Sequence, residues 1–80
     1  MTDEEIFATL KKVFVEIFED DTEITLQTSP DDVKAWDSMG QMKFMAGLEK
    51  AFSIKFKMKD IVGATSIGKI IESIRARKEG

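Results

Sequence analysis

The sequence predicts an all-α protein, a small four-helix bundle with three main helices, one short helix and a long loop between the first and second helices. Three observations support this prediction. Apolar residues recur at the helical period in three segments. Capping residues precede those segments. The chain of 80 residues has the size of one domain, expected over residues 1–80, and shows no internal repeat.

The first helix is predicted to begin after Thr2 and to end near residue 19. Thr2 and Glu5 have the spacing of a capping box. At the other end, acidic side chains oppose the helix dipole and favour termination. One arc of the helix carries the residues expected to be buried: Ile6, Phe7, Leu10, Val13, Phe14, Ile17 and Phe18.

Residues 20–37 form a loop whose length is uncommon in a compact domain. Ser29 and Pro30 indicate one helical turn within it. For Trp36, two interpretations stay open: a hydrophobic plug under the loop, or a binding role. Four spaced apolar residues are expected to anchor the loop to the core: Ile24, Leu26, Val33 and Trp36.

The second helix is predicted to run from about Ser38 to Phe52, with Asp37 as its N-cap. Gly40 and Gly47 lie inside it, and each costs up to about 1 kcal/mol relative to alanine. The expected core face consists of Phe44, Met45, Leu48 and Phe52.

Residues 54–59 alternate apolar side chains with lysine, which on period alone is typical of an edge strand. Because the chain offers no second strand, we expect an extended connector whose Ile54 and Phe56 point inward. A short helix near Lys57–Val62 is predicted to follow. The last helix is expected to start after Thr65 or Ser66 and to bury Ile67, Ile70, Ile71 and Ile74.

The composition excludes several kinds of chemistry. The chain contains neither histidine nor cysteine, so it lacks the commonest general base and the best side-chain nucleophile. A Ser–His–Asp triad and a metal site of nitrogen or sulfur ligands are therefore not expected. The acidic N-terminus does not resemble a signal peptide and no apolar run reaches membrane-spanning length, so a cytoplasmic protein without membrane insertion is expected.

Charge is distributed unevenly along the chain. Residues 1–37 carry eleven acids and three lysines, a net charge of −8, whereas residues 38–80 carry four acids and nine bases, a net charge of +5. The sum is −3. The acidic half argues against nucleic-acid binding, which needs a basic surface. The basic half keeps a nucleic-acid-binding helical domain open as an alternative.

The stretch "WDSMGQMKFMAGLEKAFSIKF", residues 36–56, resembles the signature of the acyl and peptidyl carrier proteins. It contains an Asp–Ser pair, a bulky apolar residue, an amphipathic helix and a Leu-Glu-x-x-Phe-x-Ile pattern. The resemblance extends to the order of helices over the whole chain. It implies that Ser38 carries 4′-phosphopantetheine, which a phosphopantetheinyl transferase attaches from coenzyme A.

The resemblance implies a carrier and not an enzyme. Acyl groups are held as thioesters on the prosthetic arm and passed between acyl-loading and acyl-transferring enzymes of a fatty acid, polyketide or related specialised pathway. A monomer is expected. A serine at the first turn of a helix suits this role, because the phosphodiester then meets the positive end of the helix dipole.

Two departures from the family pattern leave alternatives open. The first departure is that Met39, followed by Gly40, stands after the serine where the family commonly has leucine. The resulting stretch "DSMG" is similar to the D-alanyl carrier proteins, which indicates an aminoacyl carrier as one alternative. A helical adaptor without a prosthetic group is another. The second departure is charge: the best-known fatty acid carriers have an acidic serine-bearing helix, whereas this helix and the segment after it are rich in lysine. We therefore expect standard fatty acid synthesis enzymes to elongate acyl groups on this protein poorly.

Two sets of residues follow from the resemblance. Partner enzymes are expected to contact Asp37, Met39, Gln41, Met42, Lys43, Asp60 and Ile61. Members of this family hold acyl chains between their helices, for which the candidate lining here is Phe44, Met45, Leu48, Ile61, Ile67 and Ile71.

Overall fold

The computed structural model describes residues 2–20 and 23–79, apart from the side chain of Glu79. The helices are α1 (Asp3–Phe18), α2 (Ser38–Phe52), α3 (Met58–Val62) and α4 (Ile67–Glu79), and a 3₁₀ turn spans Pro30–Asp32. No β-strand occurs in the described residues. The predicted all-α class, with three main helices and one short helix, is confirmed.

The capping box predicted for α1 is present. The Thr2 amide donates to Oε1 of Glu5 over 2.9 Å, and the Glu5 amide donates to Oγ1 of Thr2 over 3.2 Å. The helix ends at Phe18, as predicted near residue 19, and the cap residue Glu19 has a left-handed φ of 51°. Five of the seven residues predicted to be buried are buried, and Phe7 and Ile17 are half-buried.

The core lies where α1 packs against α2 and α4, with α3 resting on α2. The apolar stripes of the three long helices meet there, as their periods predicted. The largest fully buried side chains are Phe14, Phe44, Ile6, Leu10, Met45, Leu48, Ile67, Ile70 and Ile74.

The long loop is fastened to α4 through its backbone. The Ile67 amide donates to the carbonyl of Thr28 and the Gly68 amide donates to the carbonyl of Leu26, both over 2.9 Å. Amides in the first turn of a helix have no intrahelical acceptor, so these loop carbonyls satisfy them. The prediction that Leu26 anchors the loop by its side chain is wrong. That side chain is 51% exposed, and the carbonyl makes the contact instead.

The other predicted anchors of the loop are buried. Ile24, Val33 and Trp36 all join the core, and Trp36 is only 2% exposed. The predicted turn at Pro30 is held by Asp32, whose carboxylate accepts a hydrogen bond from the Ser29 amide over 3.0 Å. The burial of Trp36 confirms the packing expected of a hydrophobic plug under the loop, and a binding role for it stays a prediction.

The segment after α2 is an extended connector, as predicted. Ile54 and Phe56 are half-buried against the core. The Phe56 amide donates to Oε2 of Glu49 over 2.7 Å, which fixes the connector to α2. For α4, the two predicted caps are resolved in favour of Ser66, whose Oγ accepts from the Lys69 amide over 3.3 Å.

Gly40 lies where α2 approaches the preceding loop most closely. A Cβ at this position would collide with the carbonyl oxygen of Ala35 and would lie 2.8 Å from Cε1 of Phe18. At Gly47, a Cβ would lie 3.0 Å from Cγ1 of Val13, a side-chain atom. The backbone contact at Gly40 cannot yield as a side chain can, so only Gly40 is strictly required by packing.

Gly40→Ala is expected to lower the free energy of unfolding by about 1–3 kcal/mol, because overpacking forces the loop away from α2. Gly47→Ala is the matched control in the same helix, and it should cost at least about 1 kcal/mol less because better helix propensity offsets its contact with Val13. Urea denaturation measures both. Equal stability of the two variants would contradict this account of Gly40.

Candidate functional site

Ser38 is the first residue of α2, and its side chain is exposed. The cap of the helix is Asp37, whose Oδ1 accepts from the Gly40 amide over 2.8 Å. The Gln41 amide donates to the carbonyl of Asp37 over 2.7 Å. The amides of Ser38 and Met39, at the positive end of the helix dipole, have no intrahelical acceptor. Ser38 is therefore not the helix cap, and its hydroxyl makes no hydrogen bond within the described part of the chain.

An aromatic cluster supports the backbone just before Ser38. Trp36 packs edge-on against Phe44, with ring centroids 5.6 Å apart, and lies 6.1 Å from Phe18. Phe14 contacts all three of these rings, at centroid distances from 4.8 to 6.4 Å. Such pairs contribute about 0.5–1.5 kcal/mol each beyond their buried area. Trp36, two positions before Ser38, is thus fixed in the core.

Gln41 joins three elements at one side chain. Its Oε1 accepts from the indole Nε1 of Trp36 over 2.5 Å, and its Nε2 donates to the carbonyl of Ile61 over 2.9 Å. The same Nε2 lies 3.5 Å from the carbonyl of Ala64. The loop, the start of α2 and the end of α3 are therefore linked beside Ser38.

An open groove of about 350 Å³ borders Ser38 on the side of the loop. Its apolar wall comes from Pro30 and Trp36, and its polar wall comes from Asp37 and Gln41. Ser38 lines the same groove. The site therefore consists of an exposed hydroxyl at the edge of a small depression that is mainly apolar.

The helices that flank Ser38 expose large apolar side chains. Met39 is 69% exposed and Met42 is 58% exposed on α2, while Met58 is 71% exposed and Val62 is 72% exposed on α3. Exposed lysines accompany them, namely Lys43, Lys57 and Lys59. We call these seven residues the methionine–lysine face.

The two acids between Ser38 and Val62 are turned to internal partners. Glu49 accepts from the Phe56 amide. Asp60 is 9% exposed, and its Oδ2 accepts from the Lys57 amide over 2.8 Å and from Nε of Arg77 over 3.0 Å. The lysines of the methionine–lysine face are thus not offset by a carboxylate presented outward from the same segment.

Arg77 also sets the protonation of Asp60. Its hydrogen bond to the carboxylate lowers the pKa of Asp60 below the ordinary value of 3.8, burial opposes this by raising it, and the Lys57 amide lowers it further. The Asp60–Arg77 ion pair ties α3 to the end of α4.

The residues predicted to contact partners differ in their exposure to solvent. Four of them are exposed, two are half-buried, and Asp60 is buried. The Asp60 carboxylate and the Gln41 Nε2 group are bonded to partners inside the protein and so are not free for a docking surface. Partner contact by this set remains a prediction; the exposed members are Asp37, Met39, Met42 and Lys43 and the half-buried ones are Gln41 and Ile61.

The candidate acyl-chain lining lies in or beside the core. Ile61 is half-buried, and the other five residues are fully part of the core cluster: Phe44, Met45, Leu48, Ile67 and Ile71. Core packing accounts for these positions without cargo, so their role in holding an acyl chain remains a prediction.

Sequence reasoning missed two links at this site. Neither the bridging role of Gln41 nor the pairing of Asp60 with Arg77 was predicted. The partners in the second pair are 17 residues apart, and Gln41 and Ile61 are 20 residues apart. Helical periodicity carries no signal for such contacts. The one available hint was the lone tryptophan, whose indole N–H needs an acceptor when buried.

Two other features are absent from the part of the chain that the structure describes. Within residues 2–20 and 23–79, no three acidic side chains are grouped in a way that suits a metal ion. No helix in that part of the chain combines the length and apolar character needed to cross a bilayer.

Comparison with known proteins gives two findings. The sequence matches the family described as "phosphopantetheine attachment site" over residues 8–74. The fold is similar to the solution NMR structure of a holo acyl carrier protein from Geobacter metallireducens, with a TM-score of 0.83 and 28% identity, covering 92% of this chain and 85% of the other. Comparison with curated protein sequences gives no significant match.

Asp60→Asn is expected to cost about 1–3 kcal/mol of folding free energy at pH 7, because it leaves the buried end of Arg77 without its charged partner. A carboxyl with a lowered pKa stabilises the fold above its ordinary value of 3.8 and loses that contribution as the pH falls through the folded-state pKa. The difference between wild type and variant should therefore shrink below about pH 3.8.

Asp3→Asn is the matched control, since Asp3 pairs with Arg75 at 2.8 Å but is 61% exposed. It should cost less than about 1 kcal/mol. Chemical denaturation across a pH series measures both variants. A constant difference between wild type and Asp60→Asn down to pH 2 would contradict the role of the ion pair.

Proposed function

The chain belongs to the phosphopantetheine attachment family, and from that premise we propose that Ser38 is the residue that carries 4′-phosphopantetheine. The main support is the position of Ser38: an exposed hydroxyl at the first residue of α2 that is not used as the helix cap. A capping serine would have its oxygen committed to a backbone amide. Here Asp37 performs that task and leaves the Ser38 oxygen available.

The surroundings of Ser38 fit the phosphate end of the group. The amides of Ser38 and Met39 have no intrahelical acceptor, and the helix dipole favours an anion at this end. These features supply donors for phosphate oxygens without a cationic side chain. When bound, the prosthetic group supplies a thiol to which acyl groups are attached as thioesters.

The protein is a carrier, and the proposal assigns the chemistry of each reaction to its partners. A phosphopantetheinyl transferase modifies Ser38, and acyl-loading and acyl-transferring enzymes then use the arm in trans. A chain without histidine or cysteine suits this division, since it has neither the usual base nor a competing thiol. We propose service in a fatty acid, polyketide or related specialised pathway.

The packing of Gly40 bears on the alternative of a D-alanyl carrier. Gly40 is the glycine of the stretch "DSMG", which is similar to that class. A Cβ at Gly40 would collide with the Ala35 backbone and crowd Phe18, so glycine is needed here whatever the cargo is. The motif therefore does not by itself favour an aminoacyl cargo over other acyl groups.

We propose that the methionine–lysine face is where partner enzymes dock. Met39 follows Ser38 in α2, and the Gln41–Ile61 hydrogen bond holds α3 against the start of α2, so we expect a partner bound on this face to reach the arm. Exposed methionines adapt to apolar pockets, and unpaired lysines favour a partner with an acidic rim. Enzymes that recognise an acidic helix would be repelled, which supports the expectation of poor service to standard fatty acid synthesis enzymes.

Ser38→Ala should abolish modification without affecting the fold. After incubation with coenzyme A and a broad-specificity phosphopantetheinyl transferase, intact-protein mass spectrometry should show one phosphopantetheine on the wild type and none on the variant. Because Asp37 caps α2, the variant should keep the wild-type stability within about 0.5 kcal/mol. Ser53→Ala is the control and should be modified normally. A mass gain on Ser38→Ala would refute the assignment.

Reversing charge on the methionine–lysine face should raise the rate at which a standard fatty acid synthase elongates acyl groups on this protein. We expect the double variant Lys43→Glu/Lys59→Glu to be elongated roughly tenfold faster than the wild type at low salt, because electrostatic steering then favours encounter. Lys12→Glu, an exposed reversal on α1, is the control and should change little. Efficient elongation of the wild-type protein would contradict the proposal.

A further inference from the structure

The groove beside Ser38 has a shape and chemistry that the carrier role alone does not explain. It measures about 350 Å³, within the range of small-molecule sites. A second groove of about 340 Å³ lies on the side of Met39 and Lys43, but Ser38 does not line it. Ser38 therefore borders the first groove and not the second.

The walls of this groove offer hydrogen-bond acceptors. One carboxylate oxygen of Asp37 accepts from Gly40, and the carboxylate has further acceptor capacity. Oε1 of Gln41 accepts from Trp36 and has a second lone pair. The Nε2 group of Gln41 is committed to Ile61, so Gln41 presents its oxygen. The remaining walls, Pro30 and Trp36, are apolar.

A phosphopantetheine arm has the complementary groups. Beyond its phosphate it carries a carbon with two methyl groups, then a hydroxyl, then two amide N–H groups, and it has no charge between the phosphate and the thiol. The methyl groups suit the half-buried Pro30 ring and the small part of the Trp36 indole that reaches the groove. The hydroxyl and amides are donors for the Asp37 and Gln41 oxygens.

The groove is also built before anything enters it. Pro30 sits in a turn closed by Asp32 and Ser29. The neighbouring Thr28 carbonyl is bound by the Ile67 amide of α4. Trp36 is fixed in the aromatic cluster. A preformed groove binds with less loss of conformational freedom than a surface that must order itself.

We propose that the groove lined by Pro30, Trp36, Asp37 and Gln41 is a resting seat for the phosphopantetheine arm. The inference depends on attachment at Ser38. It places the geminal methyl groups against Pro30 and Trp36 and directs the arm toward the loop, away from Met39. In this state the arm is folded onto its own carrier, and a partner enzyme must withdraw it.

The test is an isotope-filtered nuclear Overhauser measurement on holo protein with a labelled chain and an unlabelled arm. Cross-peaks are expected from the geminal methyl protons to the Pro30 ring and to the Trp36 indole. The Trp36 indole N–H resonance should also shift between the apo and holo forms. Cross-peaks only to the methyls of Met39 or Met42, or none to the chain at all, would overturn the seat.

Two variants sharpen this test. Pro30→Ala removes one wall of the groove and should cause loss of most of the Trp36 cross-peak intensity, whereas Met39→Ala should leave it unchanged. Unchanged cross-peaks in Pro30→Ala would overturn the assigned wall. Mass spectra of the same samples separate the two proposals. A phosphopantetheine mass gain that persists in Ser38→Ala refutes attachment at Ser38. If the gain is lost in Ser38→Ala but the holo wild type shows no cross-peaks from the arm, the seat alone is refuted.

Discussion

The hydrogen bond from the Trp36 indole to the Gln41 side chain joins the long loop to α2, three residues beyond Ser38. The same glutamine then donates to the Ile61 carbonyl of α3. A loop of this length would otherwise leave the start of α2 weakly defined. Because the indole is buried among Phe14, Phe18 and Phe44 while Gln41 is half-buried, the bond lies at the edge of the core. The position of Ser38, the groove beside it and the placement of α3 all depend on this connection.

Much of the fold could be predicted from the sequence because its signals are local. The capping box at Thr2 and the cap at Asp37 each involve residues three apart, and the apolar stripes repeat every turn. The site residue Ser38 also came from a local pattern. Leu26 shows the limit: its apolar side chain predicted an anchor, but the contact is made by its backbone carbonyl, which leaves no trace in residue type. Gln41 and the Asp60–Arg77 pair depend on distant partners and could not be read from spacing.

The segment from Ser38 to Val62 exposes several lysines. Glu49 and Asp60 are the acids nearest to these lysines in the sequence, but the fold uses both carboxylates to hold the connector and α3. Internal partners thus hold the carboxylates of Glu49 and Asp60, whereas Asp37, before Ser38, stays exposed. From Ser38 to Val62 the exposed charged side chains are lysines, so the charge of this segment follows from how its two acids are used in folding.

The division of tasks between Asp37 and Ser38 has a consequence for the life of the protein in a cell. A residue that both capped α2 and held the arm would link modification to folding, and the unmodified form would be cleared faster by proteases that capture unfolded chains. With the cap on Asp37, the unmodified chain keeps a complete start of α2, and no hydrogen bond of the described residues waits on the Ser38 hydroxyl. The unmodified form is therefore not exposed to proteases by an uncapped helix.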